Sequence, residues 1–204
     1  MVKKKKDFST EERILEAAKK VFIRNGMAGA RMQDIADEAG INKALLHYYF
    51  KNKEQLFENI FLSLSQTIFP QLNSVFNADN TLFEKIENFC ATYIDNIIQH
   101  PFIPLFVLYE MNQRPAQVIK KMFGNKLPAP SPLLRQMEEE LKKGRIRPID
   151  PRQLMMNMVS MCMFPFIGKP MITAVLGLTE PTFAALMEER KKEVARFIID
   201  SIKK

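Results

Sequence analysis

A chain of 204 residues that is 47% hydrophobic and 26% charged has the make-up of a folded protein, which excludes wholesale disorder. Its net charge of +7 sits mainly in two tails: without Lys3, Lys4, Lys5, Lys6, Lys203 and Lys204 the excess falls to +1, so global charge does not by itself establish a polyanionic partner. Two cysteines, Cys90 and Cys162, and two histidines, His47 and His100, exclude a disulfide framework and a metal centre rich in either ligand; no cofactor is implied.

Glycine is scarce, apolar residues recur at helical spacing, and two-residue alternation is sustained nowhere, which predicts an all-α fold. Residues 1–8 are a basic arm. Ser9 with Glu12 is a capping box that starts a first helix carrying Ile14, Ala18, Val21 and Phe22, and Gly26 supplies its stop. A second helix covers about Met32 to Ala39 and ends at Gly40; a third runs from Lys43 to about Phe50 with Asn42 as its cap. Asn52 caps a fourth that starts at Lys53, carries Leu56, Phe57, Ile60, Phe61 and Leu64, and is ended or kinked by Pro70. Beyond the polar stretch 77–80, Thr81 to Gln99 is helical, then Leu105 to Asn112, then a piece from Pro115 to about Phe123. A proline-rich loop, Gly124 to Pro132, leads to a helix over Ser131 to Lys143. Asp150-Pro151 opens the next by the cap-plus-proline rule, and the last covers about Pro181 to Lys203. The lysines of the arm precede no apolar stretch, and Leu154 to Ile167 is short of the ~20 apolar residues of a membrane span. A cytoplasmic chain with no membrane partner is expected.

The informative stretch is Gln33 to Phe57. Ile35, Ala36 and Ala39 give one helix a small buried face, Gly40 permits the positive φ of a sharp turn, Ile41 plugs that turn, and Leu46 anchors the following helix. This is a helix-turn-helix design, whose second helix enters the major groove of DNA. With Tyr48-Tyr49-Phe50 running into Lys51-Asn52-Lys53-Glu54-Gln55-Leu56-Phe57, the segment from Ser9 to Ile60 resembles the TetR family of one-component transcriptional regulators. The resemblance implies a DNA-binding domain at 9–52 and a helical effector-binding and dimerisation domain at 53–204. It implies base-reading positions at Lys43, Ala44, Leu45 and His47, phosphate contacts at Tyr48 and Lys53, and DNA contacts from Asn42 and Arg31. Lys43 suits guanine O6 or N7, whereas Leu45 offers only apolar contact to a thymine methyl. Three departures from the family pattern stand out. Ala30, Arg31 and Met32 occupy a turn where Thr or Ser usually caps the second helix, a cap whose loss costs about 1 kcal/mol. Leu45 replaces a small polar residue, and His47 a tyrosine.

In the second domain, abundant Met and Phe serve as core and suit an adaptable apolar cavity. Phe89, Tyr93, Phe106, Tyr109, Met163 and Phe164, on helices that should converge, are the effector-pocket candidates. Leu154 to Phe166 is apolar nearly all round, and the last helix is amphipathic, so a two-fold four-helix bundle is expected, with Leu154, Met158, Phe183, Met187, Val194, Phe197 and Ile198 at the dimer interface. Cys90 and Cys162 read as small hydrophobes. No nucleophile–base pair or acidic dyad argues for an enzyme. The resulting expectation is a homodimeric regulator, by default a repressor, released from a palindromic operator by a small apolar effector. A helical interaction module that meets no DNA, and a small helical enzyme, remain as alternatives.

Overall fold

The computed structural model describes residues 9–113, 116, 119, 120 and 131–204. Ten helices are described: α1 Thr10–Gly29, α2 Met32–Ala39, α3 Lys43–Tyr49, α4 Lys53–Asn77, α5 Leu82–Gln99, α6 Ile103–Gln113, α7 Ser131–Lys142, α8 Pro151–Ile167, α9 Lys169–Leu176 and α10 Glu180–Ile202. Among the described residues there is no strand, only an isolated bridge between Ile146 and Lys203. The basic arm and most of both the piece from Pro115 to Phe123 and the proline-rich loop lie outside the described residues.

The chain divides into two units, residues 1–66 and 67–204. The division falls inside α4, not at the expected 52/53 boundary. The reason is packing: Leu56, Phe57 and Ile60 are fully buried, and the Phe57 ring meets Phe22 of α1 at 5.1 Å. In the first unit α1 begins on its capping box, Ser9 Oγ accepting from the Glu12 amide at 3.2 Å while the Glu12 carboxylate accepts from the Ser9 amide at 2.8 Å. Gly26, at φ 66°, breaks the regular helix as expected, but a further turn follows to Gly29. Pro70 does not end α4, which runs through it to Asn77. A proline has no amide to donate, so the Gln66 carbonyl loses its helical partner at the division between the units.

The second unit is built on α5, which packs most extensively on α10 and then on α8, and also against α7. Thr81 and Glu84 form its capping box. Leu82, Ile86, Phe89, Cys90, Ile94 and Ile97 of α5 share one core with Leu133 and Met137 of α7, Leu154, Met158 and Cys162 of α8, and the inner stripe of α10. This placement corrects the expected dimer interface. Leu154, Met158, Phe183, Met187, Val194 and Ile198 are buried within their own subunit, and of the seven residues only Phe197 is exposed. A helix that is apolar nearly all round shows by its sequence that two faces are covered, but not which one its own chain covers.

Asp150 caps α8, its carboxylate accepting from the Arg152 amide at 2.8 Å, and hydrogen bonds from the Arg152 side chain hold its carboxyl at about 2, below the ordinary range. At Gly168 the path bends by 73° into α9, a helix absent from the expected elements. None of its residues is buried. Arg147 donates to the Ile202 carbonyl at 2.7 Å and so pins the C-terminal turn. Among the described residues no single helix is long and apolar enough to cross a membrane.

Because Leu154 is a core residue, Leu154→Ala is expected to lower the unfolding free energy by about 2–5 kcal/mol, read by urea denaturation.

Candidate nucleic-acid interface

The sharp turn between α2 and α3 rests on Gly40, in the left-handed region at φ 66° and ψ 37°, where a side chain would be strained. Its amide and that of Ile41 close the end of α2 on the carbonyls of Asp37 and Ala36. Arg13, on α1, donates to the Ala39 carbonyl at 2.9 Å, so the cation lies where the helix dipole is negative. Lys20 and Arg24 of α1 pair with Glu38 of α2 at 3.1 and 3.5 Å, and the Lys20 hydrogen bond is the main cause holding the Glu38 carboxyl below its usual range. At its other end α2 lacks a hydroxyl cap, as expected. The Asp34 carboxylate reaches back instead and accepts from the Arg31 amide at 3.3 Å.

Helix α3 starts on Asn42, whose side-chain oxygen accepts from the Leu45 amide at 2.8 Å. The amide nitrogen of Asn42 keeps two donors for any other partner. Leu46 and Phe50 are buried, and every other residue from 42 to 49 is exposed. At 100° per residue this puts Ala44 and Tyr48 at the centre of the outer face, Lys43 and His47 on one flank and Leu45 on the other. Tyr48 is 82% exposed, with its ring edge-on to Tyr49 at 5.3 Å. His47 Nδ1 lies 3.2 Å from the Lys51 carbonyl. Lys51 is itself held, its amide donating to the Gln55 side chain at 2.9 Å, while the Gln55 amide donates to Asn52 at 2.9 Å.

Lys53 is placed differently from its expected role. Its ammonium donates to the carbonyls of Met27, Ala28 and Ala30 at 2.9, 3.3 and 3.3 Å. Three donors meet three acceptors, so Lys53 closes the last turn of α1, and holding a phosphate would mean releasing one of them. Arg31, at the start of α2, is exposed. The Arg13 clamp, the Glu38 pairs and the Lys53 bonds all join residues 14 or more positions apart and carry no local sequence signal.

Of the effector-pocket candidates, three come together within the second unit. Phe89 stacks on Phe76 at 5.6 Å and meets Tyr93 at 5.3 Å, and the Tyr93 hydroxyl donates to the Met163 sulfur at 3.7 Å. Burial, with a smaller push from Cys162, raises the Tyr93 phenol to about 12, so it stays protonated. Phe164 is 53% exposed. The side chains of Phe106 and Tyr109 lie outside the described residues. Cys90 and Cys162 are buried and face each other; the Cys90 thiol and burial push the Cys162 thiol up, which disfavours a reactive thiolate. Among the described residues no group of three or more His, Cys, Asp or Glu is placed to hold a metal ion.

Residues 14–60 match the family described as bacterial regulatory proteins, tetR family. Over 52 residues the chain is 48% identical to a helix-turn-helix transcriptional repressor of Streptomyces coelicolor, a match covering 26% of this chain and 27% of that protein. It is 28% identical over 134 residues to the helix-turn-helix transcriptional repressor NicS of Pseudomonas putida, 61% of each chain. The chain thus spans about a quarter and three-fifths of these two relatives. The helix-turn-helix transcriptional regulator RutR of Escherichia coli is 24% identical over 93% of this chain and 89% of its own. In fold, the structure aligns over 96% of its length with 96% of a ketosteroid transcriptional regulator of Mycobacterium tuberculosis, at a TM-score of 0.69 and 15% identity.

The carbonyl bonds of Lys53 give a direct expectation. Lys53→Met should destabilise the DNA-free protein by about 1.5–3 kcal/mol, whereas exposed Lys43→Ala should stay within about 0.5 kcal/mol, both read by denaturant unfolding.

Proposed function

We propose that this chain, which carries a TetR-family segment at residues 14–60, is a DNA-binding transcriptional regulator that acts in the cytoplasm as a homodimer. The observation that carries this reading is α3 itself. A seven-residue helix is anchored by Leu46 and Phe50 and turns Lys43, Ala44, His47 and Tyr48 outward. Burying one side of so short a helix while leaving two aromatic side chains and a lysine in solvent has a use if the exposed side meets a groove. Lys43 offers a cation to guanine, and Tyr48 a hydroxyl to a phosphate. Asn42 and Arg31, at the starts of α3 and α2, have donors free to grip the backbone on either side.

A second copy accounts for the apolar surface of the other unit. Met156 and Phe164 on α8, and Leu186 and Phe197 on α10, are exposed. So are Met171, Val175 and Leu176 on α9, a helix of eight residues none of which is fully buried and which is too short to be stable alone. Pairing these surfaces about a two-fold axis would present two copies of α3 to one duplex and favour a palindromic site.

Release follows from a population shift. A small, mainly apolar effector binding beside Phe89, Tyr93 and Met163 favours one arrangement of the helical unit, and α4, continuous from Lys53 to Asn77, carries the change toward the reading helix. The unpartnered carbonyl opposite Pro70 is where α4 bends most easily. Repression is the default consequence of operator binding, and the effector relieves it.

Two measurements test this reading. In mobility-shift assays over a salt series, affinity for a selected duplex should fall linearly in log–log form with a slope of several units, and Lys43→Ala should relax the choice of one base by about 1–3 kcal/mol; a flat salt response is incompatible with it. In sedimentation, Phe197→Glu should raise the dimer dissociation constant by about thirtyfold or more, and unchanged association would move the interface elsewhere.

A further inference from the structure

Lys43 and His47 stand one helical turn apart on the same exposed flank of α3, about 6 Å along its axis. They differ in what they can exchange. An ammonium only donates, so Lys43 suits the acceptors of a keto base. The polarity of an imidazole depends on which nitrogen carries hydrogen, and here the surroundings decide it. His47 Nδ1 lies 3.2 Å from the Lys51 carbonyl oxygen, which can only accept, so Nδ1 must carry the hydrogen. In the neutral ring Nε2 is then a bare acceptor, and because the residue is exposed it is the atom left for a partner. The Lys51 backbone is held in turn by Gln55, and Gln55 by Asn52, so the first turn of α4 fixes the carbonyl that sets the tautomer.

In the major groove, acceptors on the protein are matched by the exocyclic amino groups, N6 of adenine and N4 of cytosine; guanine and thymine present keto oxygens in the corresponding place. We infer that His47 is a specificity-determining residue that accepts from an exocyclic amino group, selecting adenine or cytosine over guanine or thymine on the strand it faces, within about two base pairs of the guanine offered to Lys43. The inference rests on the DNA-binding reading above and adds the sense of the hydrogen bond. It also gives the replacement of tyrosine at this position a consequence. A phenol can donate or accept and so tolerates either class of base, whereas an imidazole tied at Nδ1 does not.

The test is selection from a random duplex pool by the 204-residue protein. Wild type should enrich adenine or cytosine at one position of each half-site, close to a guanine. His47→Ala should lose that enrichment by about three- to tenfold, the yield of one neutral hydrogen bond, with the guanine position unchanged. His47→Gln, which keeps an acceptor at similar reach, should restore it for adenine. A His47→Ala profile identical to wild type overturns the inference while leaving the regulator reading intact, as does enrichment of guanine or thymine at the position sensitive to His47. A wild-type protein that retains no duplex overturns both.

Discussion

A helix of seven residues cannot hold itself together in water, where even favourable sequences need roughly twice that length. The order of α3 is therefore borrowed. It comes from Leu46 and Phe50, buried in the first unit, from the Asn42 side chain that closes its first turn, and from the Gly40 corner that sets its direction. The outward side chains of this helix are therefore placed by that burial.

The same logic extends outward by hydrogen bonds. Cations from α1 and α4 are placed on helix ends: Arg13 on the last carbonyl of α2, Lys53 on the last turn of α1. These contacts hold the first unit as one body around the turn. Their side effect is that Lys53 is already engaged, which leaves Lys43 as the described lysine on the exposed flank of α3. In the second unit the corresponding constraint is apolar. The inner stripe of α10 and one side of α8 close on α5, and what remains outside is a run of Met, Phe, Val and Leu from Met156 to Phe197.

Several helix starts that depend on near neighbours are written in the chain itself. Ser9 with Glu12, Asn42, and Asp150 with Pro151 all act across two or three residues, so their helix starts are legible one by one. Gly40 is legible because only a positive φ turns the path that sharply between two apolar-faced helices. The helix-turn-helix and its outward residues follow from the same short-range pattern. α9 was not legible: Pro170 with the β-branched Ile172, Thr173 and Val175 makes a poor helix by propensity, and it forms between Gly168 and Gly177, which bound it on both sides.

Sequence alone thus determined the all-α class, most helix starts and the short helix α3 with its outward residues, since these depend on spacing and on caps a few residues away. Tertiary structure decided which apolar stripe faces its own core, because a helix apolar all round carries no label for inside and outside. It also decided the engagement of Lys53, the meeting of Tyr93 with Met163 across 70 positions, and the tautomer of His47. Each of those turns on where a distant atom comes to rest, and no periodicity in a linear chain encodes the distance between two such atoms.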